Sequence, residues 1–299
     1  MTQLPRVPSS REWGDGRGGY GQTSPDHIIE QVATLVSRHP TLALTGAGMS
    51  TGSGLSDYRG QTSRPRNPMT FTQFATSDAA RQRYWARSCV GWTAFQRARP
   101  NADHILLAEL GTHSGLTGVV TQNVDGFHSA AGSAPVVDLH GRLDRIICLS
   151  CGTRSGHDAL QQELLRLNPD IAARLDELSA RAEWAPDGDA EIEDLGVFGY
   201  PDCPVCGGIL KPDVVFFGEN AHPEVVAEAN ALLDGSEALL VLGSTLTVMS
   251  GLRFVRQAAH HSKPVIIVND GNTRGDALAT IRVHGRLRDV LTRIRSLVG

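Results

Sequence analysis

The chain has no run approaching the roughly 18 apolar residues that a membrane span requires, and no basic-then-apolar opening of the secretory kind. Its 28 basic residues are outnumbered by 32 acidic ones, for a net charge of −4, so neither nucleic acid nor a membrane surface is an expected partner. Lysine is nearly missing, with Lys211 and Lys263 alone, and aromatics make up only 5% of the residues. What remains, 299 residues of which 40% are hydrophobic, suits one large domain plus a smaller one in a soluble, cytoplasmic protein. Two parts of the usual dinucleotide fingerprint are also absent. Gly-x-Gly-x-x-Gly needs glycine where the chain has Thr51, and the acidic residue about 20 positions later is replaced by Arg64-Pro-Arg-Asn-Pro68. A hydride-transferring dehydrogenase is disfavoured on that ground.

What is present is a short apolar run, Thr41 to Thr45, that breaks into glycines at 46, 48, 52 and 54. A buried strand opening into Gly46-Ala47-Gly48 presents backbone N–H groups to an anion such as a pyrophosphate, with a polar cluster, Asp57-Tyr58-Arg59, close behind. Residues 1–24 are rich in Gly, Pro, Ser and Arg without periodicity and are expected to form a disordered leader. Ser24 as N-cap and Pro25 at the first helical position then predict a helix leading into the Thr41 strand. Helices are expected from Asp78 to Arg97 and from Asn101 to Leu110, with Tyr84, Trp85, Trp92 and Phe95 as core aromatics.

Further short apolar runs read as strands of a doubly wound, parallel α/β sheet, and each ends in small or polar residues. Gly118–Gln122 is followed by Asn123-Val124-Asp125, Pro135–Leu139 by His140-Gly141, Ala238–Leu242 by Gly243-Ser244-Thr245, and Pro264–Val268 by Asn269-Asp270-Gly271. Ligands of such sheets sit at the carboxyl ends of strands, which places His140 beside a nucleotide. Leu210 to Glu219 is an extended segment, either an ordinary core strand or an edge whose backbone pairs with a guest peptide. A last helix is expected from about 286.

Four of the five cysteines form two C-x-x-C pairs, Cys148/Cys151 and Cys203/Cys206, separated by residues 152–202. Two such knuckles in a chain without a secretory signal favour a closed, structural four-sulfur zinc site over disulfides or redox chemistry. Cys89, within the aromatic helix, is expected to be a buried bystander.

In order, Gly46-Ala-Gly-Met-Ser-Thr-Gly-Ser-Gly-Leu-Ser-Asp-Tyr-Arg-Gly60, Thr121-Gln-Asn-Val-Asp125, Leu139-His-Gly141, the two C-x-x-C pairs, Pro212-Asp-Val-Val-Phe-Phe-Gly-Glu219 and Gly243-Ser-Thr245 resemble the sirtuin family. The resemblance spans about 25 to 299. Arg81-Gln-Arg-Tyr-Trp-Ala-Arg87, Val90-Gly-Trp92, Ala185-Pro-Asp-Gly-Asp189, Lys211–Gly218 and Ser250-Gly-Leu-Arg-Phe254 are similar to the class II branch that includes mitochondrial sirtuin 4.

The resemblance implies an NAD-consuming protein-lysine deacylase with a Rossmann-like domain (25–63, 111–147 and 211–299). A helical module (64–110) and a zinc-binding module (148–210) would form the small domain. NAD would be lined by Gly46, Ala47, Gly48, Asp57, Tyr58 and Arg59, with Gln122 at the nicotinamide ribose and Asn123, Val124 and Asp125 shaping the nicotinamide pocket. Gly243, Ser244, Thr245, Asn269, Asp270 and Gly271 would lie nearer the adenosine, with Leu287 as an adenine contact. His140 would be the general base. Val214, Val215, Phe216, Phe217 and Gly218 would hold an acyl-lysine peptide or protein by main-chain hydrogen bonds, and Cys148, Cys151, Cys203 and Cys206 would bind one structural zinc ion. Ser56 stands where the family usually has proline, and Lys211 where arginine is commoner. The Tyr and Arg that read acidic acyl groups in desuccinylases are not evident after Tyr58-Arg59, so no succinyl preference is expected. Mono-ADP-ribosyl transfer, removal of longer acyl or lipoyl groups, and a non-catalytic NAD-sensing zinc protein remain open on the same scaffold.

Overall fold

The structure, a computed structural model, describes Arg6 and residues 19–55, 68–181, 183–184, 190–191 and 196–298. In chain order its strands are β1 (Thr41–Thr45), β2 (Leu116–Thr121), β3 (Val136–Asp138), β4 (Gly141–Cys148), β5 (Arg154–Gly156), β6 (Glu183–Trp184), β7 (Ala190–Glu191), β8 (Leu210–Val214), β9 (Ala238–Leu242), β10 (Val265–Val268) and β11 (Ile281–Val283). Six of them make one sheet in the order β11-β10-β9-β1-β2-β3, with every neighbouring pair parallel. From β1 the chain winds outward through β2 and β3, then returns to the other side of β1 and winds outward again through β9 to β11. The reversal of strand order between β1 and β9 opens a crevice at their carboxyl ends.

Every residue of β1, β9 and β10 is buried, because helices cover both faces of the sheet. Successive side chains alternate between those faces. Ala43 packs with the helices Asp26–Arg38, Ala102–His113 and Leu287–Val298, whereas Leu42 and Leu44 pack with Pro223–Asp234 and Met249–His260. Leu287–Val298 shows how the pattern sets the contact. Val290, Leu291 and Ile294 fall on one stripe at helical spacing and are buried, each worth about 1.5–3 kcal/mol against exposure.

Ser24 does not cap the first helix as its sequence position predicts. Its hydroxyl accepts from the His284 N–H at 2.9 Å, while its own N–H donates to the His284 carbonyl, also at 2.9 Å. Just upstream, the Gly21 N–H donates to Asp270 Oδ1 at 3.2 Å. The end of the segment expected to be a disordered leader is thus laid against the carboxyl edge of the sheet. Strand β11 was not anticipated. It is three residues long with Arg282 at its centre, so no apolar run marks it. That guanidinium pairs with Asp276 at 2.9 Å and donates to the carbonyls of Asn269 and Gly271 at 3.1 and 2.6 Å, shaping the turn after β10.

The smaller part of the molecule is built on a second sheet, in which β4 pairs antiparallel with both β5 and β8. The extended Leu210 segment therefore belongs to this sheet and not to the parallel one. β6 and β7 form a separate antiparallel pair. A shared apolar core joins this sheet to the helices Asp78–Arg97 and His157–Leu167 through Phe74, Trp85, Trp92, Ile146, Leu164 and Phe198. Asn101 caps the next helix, accepting from the N–H groups of Asp103 and His104, as its sequence position predicts.

His157 ties the two halves of this core together. Its ring stacks on Trp92 with centroids 3.8 Å apart, and its Nδ1–H donates to the Leu143 carbonyl at 2.8 Å. Burial pushes its pKa from 6.5 down to about 4. Between those values the unfolded chain binds a proton that the folded chain refuses, so this contribution is intact above pH 6.5 and is lost as pH falls toward 4. His157→Phe keeps the stack but removes the titration. We expect the wild type to lose about 2 kcal/mol more stability than this variant between pH 6.5 and 5, read by denaturant unfolding at both values. Parallel losses in the two proteins would contradict this account.

Candidate functional site

The crevice at the carboxyl ends of β1, β2, β9 and β10 is a cleft of about 690 Å³. It brings together Gly46, Ala47 and Gly48 after β1, Gln122, Asn123 and Val124 after β2, and His140 between β3 and β4. Gly243, Ser244 and Thr245 enter from β9, Asn269, Asp270 and Gly271 from β10, and Leu287 from the start of the last helix. Val214, Val215, Phe216, Phe217 and Gly218 form an opposing wall. Asp57, Tyr58 and Arg59 lie outside the described residues. Asp125 does not line the cleft. Its carboxylate accepts from the Ser50 hydroxyl at 2.6 Å and the Phe127 N–H at 2.9 Å, bracing the loop from beneath.

The glycines after β1 serve a purpose that the sequence did not reveal. The Gly46 N–H donates to the Leu242 carbonyl at 3.1 Å and the Gly48 N–H to the Gly243 carbonyl at 2.9 Å, so these two donors face the neighbouring strand and not an anion. A Cβ on Gly48 would stand 2.8 Å from that same Gly243 oxygen. Glycine is needed so that the two loops can touch backbone to backbone across the switch point.

His140 sits at the centre of the floor. Its Nδ1 is 2.8 Å from the Gln122 carbonyl oxygen and its Nε2 is 2.7 Å from the Ser250 hydroxyl. A carbonyl only accepts, so Nδ1 carries the ring proton and Nε2 holds the lone pair. Burial lowers the pKa of the ring, and the hydrogen bond to Gln122 partly opposes this. The neutral, proton-accepting imidazole therefore persists below the usual 6.5. Any reaction that uses His140 as a base should keep its rate as pH falls through 6.5 and lose it only below, because protonation is what disables the base. A kcat/KM profile whose acid limb lies at or above 6.5 would contradict this.

The opposing wall is fastened to the same histidine. The Val215 N–H donates to the His140 carbonyl at 2.8 Å. Lys211, buried under the wall, donates from Nζ to the Val214 carbonyl and pairs with Glu219 Oε2 at 3.1 Å, and that oxygen also accepts from the Phe216 N–H at 2.9 Å. Several backbone groups of this segment are thus already engaged, so a guest peptide can pair only with those that remain. Phe217 on this side and Val248 and Met249 on the other are apolar and exposed at the mouth, and Tyr84 and Met69 line the cleft.

The four cysteines converge below. Cys148 and Cys206 sulfurs are 3.5 Å apart, Cys151 and Cys203 sulfurs 3.8 Å, and all four lie within 4.8 Å of one another. Sulfurs at about 2.3 Å from a tetrahedral zinc are about 3.8 Å apart, so the set fits one zinc ion with no position left for substrate. The two knuckles share one build: the N–H of Gly152 donates to the Cys148 carbonyl, and that of Gly207 to the Cys203 carbonyl, both glycines having φ of +72°. Only the left-handed region lets the chain turn back over its metal ligands here.

Sequence reasoning missed Tyr20, Ser250, Arg253 and Arg286 as cleft residues. Ser250-Gly251 at the start of an amphipathic helix following Gly243–Thr245 was a usable signal, since that helix had to begin at the carboxyl edge. Tyr20, in a segment without periodicity, offered none.

A sequence model of the Sir2 family matches residues 46–250, which include the cleft loops after β1, β2, β3 and β9 and the Val214–Gly218 wall. The chain belongs to the Sir2 family. The sirtuin resemblance of its motifs therefore holds. This Sir2 chain is 52% identical to NAD-dependent protein deacetylase 1 of Streptomyces coelicolor over 91% of its own length and 90% of that protein's. It is 50% identical to NAD-dependent protein deacetylase 1 of Mycobacterium avium, over 88% and 92%. Among solved structures it is similar to Sir2Tm bound to a propionylated peptide, with 26% identity, a TM-score of 0.70 and 90% of this chain covering 97% of that one. It is likewise similar to a Sir2–p53 peptide–NAD complex, with 27% identity, a TM-score of 0.66 and coverage of 90% and 95%. Among the described residues of this Sir2 protein, no helix is long and apolar enough to cross a membrane.

Proposed function

We propose that the protein is an NAD-dependent protein-lysine deacylase of the deacetylase type. The observation that carries this reading is the placement of His140, which lines a cleft with strand-end loops on one side and the Val214–Gly218 wall on the other and carries its ring lone pair on Nε2. Relatives at 50–52% identity are NAD-dependent protein deacetylases, which supports the same reaction class.

In this reading NAD lies across the strand ends with its adenosine toward Asn269, Asp270, Gly271 and Leu287 and its nicotinamide ribose toward Gln122. The peptide lies along Val214–Gly218 with its acyl-lysine directed at His140. Nicotinamide departs as the acyl oxygen attacks the anomeric carbon; a ribose hydroxyl then attacks the acyl carbon, the lysine amine leaves, water supplies the oxygen that the acyl group gives up to the anomeric carbon, and the acyl group ends on ADP-ribose. His140 Nε2 takes the proton of the attacking ribose hydroxyl. Cys148, Cys151, Cys203 and Cys206 would hold a zinc ion that supplies no chemistry to the reaction and ties the end of β4 to the approach to β8. The finer reading, a place in the class II branch with sirtuin 4, rests only on the Arg81–Arg87, Val90–Trp92, Ala185–Asp189, Lys211–Gly218 and Ser250–Phe254 motifs of the sequence and draws no support from the relatives named above.

Incubating the protein with acetyl-lysine peptide and isotopically labelled NAD tests the proposal. The expected products are deacetylated peptide, nicotinamide and O-acetyl-ADP-ribose in equal amounts. Label retained on protein in place of O-acetyl-ADP-ribose would assign the cleft to ADP-ribosyl transfer.

A further inference from the structure

His140 has one ring lone pair to offer, and in this structure a protein hydroxyl already sits on it. Because Nδ1 is committed to the Gln122 carbonyl at 2.8 Å, the 2.7 Å contact between Nε2 and the Ser250 hydroxyl is one in which the serine donates. An imidazole nitrogen has a single in-plane lone pair. No substrate hydroxyl can deliver a proton to Nε2 while Ser250 occupies it.

Ser250 is held there by its setting. It is the second residue of the helix Met249–His260, and the next residue, Gly251, lies against the Gln122 side chain. A Cβ on Gly251 would stand 2.6 Å from both amide heteroatoms of Gln122. The Gln122 amide oxygen in turn accepts from the Ser244 hydroxyl at 2.8 Å. The helix start, Gln122 and Ser244 therefore form one packed unit, and both nitrogens of His140 are bonded to it, one through the Gln122 backbone and one through Ser250.

We propose that Ser250 is a positioning residue: in the free protein it holds the His140 ring in its reactive tautomer and orientation, and the substrate's ribose hydroxyl takes its place on Nε2 during turnover. The exchange breaks one hydrogen bond, Ser250 O–H to Nε2, and forms another, ribose O–H to Nε2. The proton that then moves is the ribose proton, and Ser250 keeps its own. The inference deepens the deacylase reading and rests on it.

The Ser250 hydroxyl donates to the neutral ring and can turn to accept from the protonated one, so it takes part in setting the ring's affinity for a proton in the free protein and not once the ribose hydroxyl has replaced it. Among the described residues no charged side chain sets that affinity, which follows from burial and the Gln122 carbonyl; Arg253 on the same helix and Glu219 on the opposite wall also line the cleft.

The test is Ser250→Ala, with Ser250→Thr as the conservative variant. In Ser250→Ala the acid limb of kcat/KM, which reports the free enzyme, should leave its wild-type position. The acid limb of kcat, measured with NAD and peptide saturating, should stay at its wild-type position, because the substrate hydroxyl then occupies Nε2. Ser250→Thr should restore the wild-type limb of kcat/KM. Nitrogen-15 NMR titration of the ring in the substrate-free protein gives a second readout independent of turnover, with the same displacement of the His140 midpoint in Ser250→Ala. An unshifted His140 in that titration, or limbs of kcat and kcat/KM that move together, overturns the inference. Loss of deacylation from His140→Ala with no Ser250 effect would sink this inference alone, whereas a His140→Ala protein that still deacylates would sink the deacylase reading first.

Discussion

His140→Ala should lower the deacylation rate by about 10²- to 10⁴-fold, the usual worth of a positioned general base. The side chain stands on the cleft floor with its protonated nitrogen on the Gln122 carbonyl and its lone pair on Nε2, which the ribose hydroxyl reaches once Ser250 yields its place, so its loss removes the proposed acceptor of the ribose proton. Most of the fold should survive. The strand β3 before it and the Val215 N–H bond to its carbonyl are backbone features that alanine keeps. NAD binding, followed by calorimetry, should therefore change far less than turnover, followed by chromatography of the deacetylated peptide. A variant that turns over within about threefold of wild type would remove the catalytic assignment and the mechanism with it.

Cys203→Ser should have the largest effect on stability. Cys203 is buried, and its sulfur lies 3.8 Å from that of Cys151 in a four-sulfur cluster that holds the end of β4 against the start of β8. Structural zinc sites of this kind bind with about 10–16 kcal/mol in isolated modules, so loss of one thiolate should destabilise the small domain by more than about 4 kcal/mol. Activity should fall too, although no cysteine touches the cleft. Strand β8 continues directly into the Val214–Gly218 wall, and β4 begins at Gly141, next to His140, so disorder in the knuckles reaches both. Elemental analysis should find one zinc per chain in the wild type and a substoichiometric amount in the variant. A variant without zinc that melts within about a degree of the wild type and keeps its turnover would show that the cluster does not hold the module.

Strands β1, β2, β3, β9 and β10, the extended Leu210 segment and several helices were legible because each is a local statement, whereas β4, β5, β6 and β7 were not anticipated. A buried parallel strand is a short apolar run, and its periodic neighbours are helices. β11 escaped because its middle residue, Arg282, is a cation satisfied by carbonyls that come from other loops. The end of the expected leader is held for a related reason: Gly21 and Ser24 are bonded to Asp270 and His284, partners about 250 residues away. Ser24, well placed as a cap by every local rule, spends its hydroxyl on a strand end instead.

The convergence of the four cysteines and the place of His140 at a strand end were visible in the sequence because both follow from residue type at short spacing: two thiols on one tight knuckle, a histidine and glycine after an apolar run. Which strand ends meet, and what each nitrogen of His140 faces, was settled only by the folded chain. The contact between His140 and Ser250 joins residues 110 apart, and Gly48 is glycine because the backbone of Gly243 passes against it. Local pattern encodes which segments turn, pleat and coil, since those preferences come from the backbone and nearest side chains. The tautomer of an imidazole depends on groups brought to it from elsewhere in the chain, and only close packing decides which groups those are.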